Sequence, residues 1–159
     1  MRRAWLAASL LSALAVSARA TTRVFVLPHS HQDTGWLRTV DEYYTEYVRG
    51  ILSNVVASLS ADARRTFLAV EVAFWMRWWA DASPAQRESV KRLVGTGQLE
   101  FVNGGWVMAD EGSTMYEGVV NQITLGHRWL ADTLGVTPQY AWHIDPFGSS
   151  ATFVGASRR

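Results

Sequence analysis

His31-Gln32-Asp33 is the segment whose residue types and spacing point most sharply to chemistry. Imidazole nitrogen and carboxylate oxygen are both good Zn²⁺ ligands, and a two-residue step in an extended loop aims both side chains at one ion. An H-x-D pair can equally be a hydrogen-bonded loop pair, and spacing alone leaves both readings open. Gly35 follows two residues on and lets the backbone turn tightly. His29 stands nearby and reads as a structural group or as a hydrogen-bonding partner of a ligand rather than as a ligand, since metal sites need such partners. Asp145, in Trp142-His143-Ile144-Asp145-Pro146-Phe147-Gly148, is a third candidate ligand. A residue before proline can be a plain turn former. An ionised carboxylate held near a cation can also attack an anomeric carbon. Trp36 and Trp106 lie in the same loops, where an indole either packs the loop or offers a face to a sugar. Trp36, close to the ligand pair, is the stronger candidate of the two.

These residues need elements to bring them together. Val24-Phe25-Val26-Leu27 reads as a buried strand, Thr66 to Val70 as a second, Leu99 to Val102 as a third and Tyr140 to Ile144 as a fourth. Between them lie three helical stretches with start signals. Thr39-Val40-Asp41-Glu42 is a capping box for a helix running to about Leu59. Ser83-Pro84-Ala85-Gln86 caps a second, which should end at Gly95 and Gly97. Thr114-Met115-Tyr116-Glu117 is expected to cap a third, stopped by Gly135. Ala73 to Ala80 forms a shorter helical piece, and the Ser/Ala/Gly-rich tail from Ser149 shows no element. Strands alternating with helices predict an α/β fold with a parallel sheet of βα units, the first part of a larger sheet or barrel. In such folds function collects at the C-terminal ends of the strands. That edge would carry His29, His31 and Asp33, then Glu71, then Asn103 to Trp106 with Asp110 and Glu111, then His143 and Asp145. His127 falls within the third long helix and reads as structural.

Composition narrows the classes. A net charge of +1 over 159 residues gives no electrostatic footprint for nucleic acid. Eight Trp is the one outlier, and large aromatics go first to cores. Arg2 and Arg3, the apolar run Ala4 to Val16 and Ala18-Arg19-Ala20 match a cleaved secretory signal, so residues 1–20 are expected to be processing sequence and 21–159 the domain. The apolar run is shorter than the about 20 residues a bilayer span needs. The chain has no Cys, hence no disulfide framework.

With the motifs in view, the sequence resembles the N-terminal catalytic domain of the family 38 α-mannosidases. Pro28-His29-Ser30-His31-Gln32-Asp33-Thr34-Gly35-Trp36, Leu99 to Met108 with Asp110-Glu111, and Trp142 to Gly148 resemble three ordered family segments, with wording nearest the lysosomal branch. The resemblance implies a distorted (β/α) barrel and a zinc-dependent retaining α-mannosidase acting on mannose-containing N-glycans or oligosaccharides. It implies His31, Asp33 and Asp145 as zinc ligands, Asp145 as catalytic nucleophile, and Trp36, Asp33 and Asp145 as substrate contacts. It places a fourth ligand and the general acid beyond residue 159, so that the domain is expected to be truncated. The family segment continues with His-Ser where this chain has Ser149-Ser150. With the signal, the expected location is the secretory pathway, lysosomal, vacuolar or extracellular. Two other classes stand beside this one. Another metal hydrolase, such as a sugar deacetylase, also places H-x-D after a strand but does not use the later two segments. A catalytically incomplete fragment would at most bind carbohydrate.

Overall fold

In the computed structural model, which describes residues 22–156, four backbone segments lie side by side in chain order. The expected signal at residues 1–20 lies outside the described residues. Strand β1 (Phe67–Ala69) pairs in parallel with β2 (Leu99–Phe101), with Leu68 opposite Glu100. On one side of β1 the Leu68 N–H donates to the Pro28 carbonyl at 2.9 Å, and His29 forms a single parallel bridge to Leu68. Beyond β2 the Asn103 N–H donates to the Tyr140 carbonyl at 2.9 Å. The fold is a helix-rich α/β arrangement around this small parallel sheet.

Two expected strands do not form. Val24, Phe25 and Val26 are each at least 74% exposed, so no layer packs on that run and nothing pins it extended. Pro28 has no N–H to give, which leaves one carbonyl contact and one bridge as the link to the sheet. The Tyr140 segment is held by a side chain instead of a ladder. Asn103 Nδ2 donates to the Trp142 carbonyl at 2.5 Å, and its Oδ1 accepts from the Trp142 N–H at 2.6 Å. Asn103 is itself buried, in the left-handed region at φ 59°, which Asn tolerates better than most residues. Asn103→Ala therefore removes both tethers and adds backbone strain. Urea unfolding should show a loss of about 2–4 kcal/mol, from unpaired buried groups and the φ penalty together.

The helices follow their caps. Thr39 and Glu42 close a reciprocal capping box, with Glu42 N–H to Thr39 Oγ1 at 3.2 Å and Thr39 N–H to Glu42 Oε2 at 2.8 Å. The rod that follows is α1 (Val40–Tyr43), a wider π stretch (Tyr44–Val48) and α2 (Arg49–Ala61). Buried Tyr44 donates its hydroxyl to Asp81 at 2.6 Å, and burial with that bond pushes the phenol's pKa upward. Helix α3 (Val72–Asp81) leads directly into α4 (Pro84–Gly95), which opens on the Ser83–Gln86 box and stops before Gly97 at φ 74°. Leu52, Val56 and Leu59 of α2, Trp75 and Trp78 of α3, and Val90 and Leu93 of α4 close on Leu99 and Phe101 in one core. The Trp excess is thus largely core, as expected, and Trp106 joins it at the margin.

Helix α5 (Tyr116–Leu134) ends at Gly135, whose φ of 69° forms the left-handed cap. Its start differs from expectation. Met115 is the N-cap and makes no side-chain cap bond, while the Thr114 hydroxyl donates back to the Asp110 carbonyl at 2.9 Å. The tail also differs, because Ala151–Ala156 forms helix α6. Phe153 explains it: it is 6% exposed and packs with Ala109, Val119 and Ile123, so one buried ring anchors a segment of weak local signal. Among the described residues no helix is long and apolar enough to cross a membrane.

Candidate active site

Glu71 follows β1 by two residues and is 3% exposed at the start of α3. Such a buried carboxylate must find donors. It takes the His31 Nδ1–H at 3.0 Å and the Gln32 N–H at 3.3 Å. With Nδ1 occupied, His31 presents Nε2 in the other direction. Nε2 lies 3.2 Å from Asp33 Oδ1 and 3.7 Å from Asp145 Oδ2. One ligand atom from each of His31, Asp33 and Asp145 falls within 4.8 Å of the others. The three residues come from two segments 112 positions apart in sequence, and the parallel sheet is what joins them.

The electrostatics follow from that geometry. The Glu71 hydrogen bond raises the His31 pKa above its ordinary value, burial works against it, and the charges of Glu71, Asp33 and Asp145 add to the rise. Three carboxylates around one imidazole favour a positive charge at Nε2, which a proton or a cation can supply. An imidazole held by a carboxylate on one nitrogen, with two carboxylates facing the other, fits Zn²⁺ in donor type and in arrangement. Sequence reasoning placed Glu71 on the right edge but gave it no role. The only signal was a carboxylate at a strand end, since its partner is 40 residues away. Glu71→Gln keeps the shape but not the charge that orients His31. Zn²⁺ affinity, measured against a chromophoric chelator, should fall by about 10–100-fold.

The triad sits on a cleft of about 880 Å³. Its walls include Trp36, Met108, Asp110 and Phe147. Trp36 is 73% exposed, so its ring is free for a ligand to cover. Phe147 also lines the cleft and is 65% exposed, a second aromatic that sequence reasoning did not single out. Its position two residues after Asp145 was the available clue. Trp106 does not reach the cleft and packs on the main core, which removes it as a sugar-stacking face. Of the two readings of His29 the structural one holds: its ring meets Trp142 edge-on at 4.9 Å, and Glu71 is the partner of His31. His127 is structural, with Nε2 2.9 Å from the Asn103 carbonyl. The His143 side chain is shielded from water with Nδ1 2.9 Å from Glu111 Oε1, and burial lowers its pKa against the opposing pull of Glu111 and Asp110.

Compared with known families, residues 21–156 match the Glycosyl hydrolases family 38 N-terminal domain. The chain belongs to that family. Alpha-mannosidase 2x of Mus musculus is 50% identical over 137 residues, covering 86% of this chain and 12% of that protein. Alpha-mannosidase 2 of Arabidopsis thaliana is also 50% identical over 137 residues, with the same coverage. Lysosomal alpha-mannosidase of Mus musculus is 50% identical over 137 residues, covering 80% of this chain and 14% of that protein. The chain thus spans about an eighth of the length of these relatives, and identity is equal between the lysosomal protein and the other two. Within this family 38 chain, the cleft draws on all three segments that carry the sequence resemblance, and the start of α5, with Gly118, Val119 and Gln122, completes its wall.

Proposed function

We propose that this chain supplies the metal-binding and nucleophile-bearing part of a zinc-dependent retaining α-mannosidase that removes mannose from N-glycans or oligosaccharides. The observation that carries the reading is the convergence of His31, Asp33 and Asp145 on the cleft beside an open Trp36 ring. The four-segment order supports an opening portion of a distorted (β/α) barrel, and residues 21–159 are taken as that portion. The signal-like residues 1–20 support a secretory-pathway location, lysosomal, vacuolar or extracellular.

His31, Asp33 and Asp145 would hold zinc, which when bound supplies a Lewis-acidic anchor for sugar hydroxyls. Trp36 covers the apolar C–H face of the mannose and excludes water from it. The Asp145 carboxylate attacks the anomeric carbon as the glycosidic C–O bond breaks, giving a glycosyl ester on its side chain. The leaving oxygen takes its proton from an acid that we assign to a part of the domain outside these residues. Water then opens the ester from the face that the aglycone left, so two inversions give net retention.

The test is hydrolysis of an aryl α-mannoside by the full gene product, followed by NMR during the first turnover. Loss of activity on chelation, its return with Zn²⁺ and initial release of the α anomer are expected. Initial release of the β anomer would rule out retention, and indifference to chelator would rule out the metal.

A further inference from the structure

Asp145 stands on a loop that no strand ladder supports, and its own side chain is 55% exposed. Yet one carboxylate meets both sides of that loop, a side chain before it and the backbone after it. Glu111 Oε1 lies 2.9 Å from His143 Nδ1, two residues before Asp145, a close contact without the alignment of a hydrogen bond. Glu111 Oε2 accepts the Ser150 N–H at 2.6 Å, five residues after it. The His143 and Glu111 side chains are only 6% and 10% exposed, so the contact is well shielded from water. The turn that bears Glu111 adds a third hold, since the Gly112 N–H donates to the Phe147 carbonyl at 3.2 Å. At Gly112 a Cβ would meet that carbonyl oxygen at 2.9 Å and Gly148 Cα at 3.1 Å, so the two loops are in direct backbone contact.

We propose that Glu111 is a positioning residue for Asp145. By bracketing the 145–148 loop it fixes where the Asp145 carboxylate stands relative to His31 and Asp33. The proposal rests on the reading of Asp145 as ligand and nucleophile given above. Glu111 touches neither the ligand triad nor the space between its atoms, so it acts only through the loop.

The test uses the full chain and Zn²⁺ alone as probe, with dissociation constants taken by competition against a chromophoric chelator. Glu111→Ala should weaken Zn²⁺ binding by about tenfold, the lower end for a supporting residue of a metal site. Glu111→Gln retains an acceptor for the Ser150 N–H and should lose less. In an Asp145→Asn background, Glu111→Ala should cost less than about twofold, because two changes acting through one group do not add. Equal losses in both backgrounds would overturn the proposal. Amide hydrogen exchange of the metal-free chain gives a second readout. Glu111→Ala should speed exchange of the Gly112 N–H, which the Phe147 carbonyl holds, by about tenfold or more and leave α2 and α4 unaltered, as a local opening does. Unchanged exchange at Gly112 would also overturn it. If the wild-type chain takes up no Zn²⁺, the metal reading falls by itself, and the exchange result alone decides the role of Glu111. If Glu111→Ala loses protection everywhere, the same comparisons are made with Glu111→Gln.

Discussion

Asp145→Asn in the full gene product is expected to lower aryl α-mannoside turnover by at least about a thousandfold, the order of loss when a covalent nucleophile is removed. The amide is nearly isosteric with the carboxylate, so the loop and its contacts to the 110–113 turn should persist. What disappears is an oxygen able to form the glycosyl ester, and the negative charge 3.7 Å from His31 Nε2. Asp33→Asn separates those two losses. It also removes a carboxylate near Nε2, at 3.2 Å, but leaves the nucleophile in place. Excess Zn²⁺ should therefore recover much of the activity of Asp33→Asn and little of that of Asp145→Asn. Recovery of both to the same extent would reduce Asp145 to a ligand and require a different nucleophile.

The sequence made the local features legible because their physics closes within a few residues. The Thr39 and Ser83 capping boxes each satisfy their orphan N–H groups across a three-residue step, and each appears as read. The site residues were legible for a topological reason. Parallel βα units put strand C-termini on one edge, so their order in sequence alone places His31, Asp33, Glu71 and Asp145 near one another. Glu71 could not be given its role, because spacing says nothing of which histidine a buried carboxylate will meet 40 residues away. The first and fourth segments misled for a related reason. Apolar runs such as Val24 to Leu27 report a tendency toward burial, whereas strand formation also needs a neighbour on each edge and a layer on each face. Here the first segment lacks the layer, and the fourth is fastened by the Asn103 amide. Helix α6 was hidden because its stability comes from the single ring of Phe153 in a distant cluster.

A large effect on stability is expected at Gly126, in the middle of α5. Ala is favoured over Gly inside a helix by about 1 kcal/mol, so on propensity alone Gly126→Ala should stabilise. Packing decides the opposite sign. A Cβ at Gly126 would overlap the Gly104 carbonyl oxygen, and would stand 2.8 Å from the Gly105 carbonyl carbon and 3.0 Å from the Trp106 nitrogen. All three are backbone atoms, which cannot swing aside as a side chain can. The 104–106 turn cannot retreat freely either. Its Gly105 and Trp106 carbonyls accept the Val72 and Ala73 N–H groups at 3.1 and 3.0 Å, and the Trp106 N–H donates to the Gln122 carbonyl at 3.0 Å. Gly126→Ala should thus cost about 3 kcal/mol, the upper end of the usual overpacking range, because every atom it meets is backbone. Gly118, on the same helix, has nothing within 4 Å of its would-be Cβ, and Gly118→Ala should show the propensity gain alone. Urea midpoints of the two variants should therefore move in opposite directions, and a parallel shift would mean that α5 does not rest on the turn. The consequence reaches the site through Val72, the first residue of α3 and the neighbour of Glu71. Pushing the 104–106 turn outward pulls on the Val72 and Ala73 N–H groups, and the carboxylate that orients His31 moves with them. Gly126→Ala should therefore weaken Zn²⁺ binding as well as stability, while Gly118→Ala leaves His31 and Glu71 as they are.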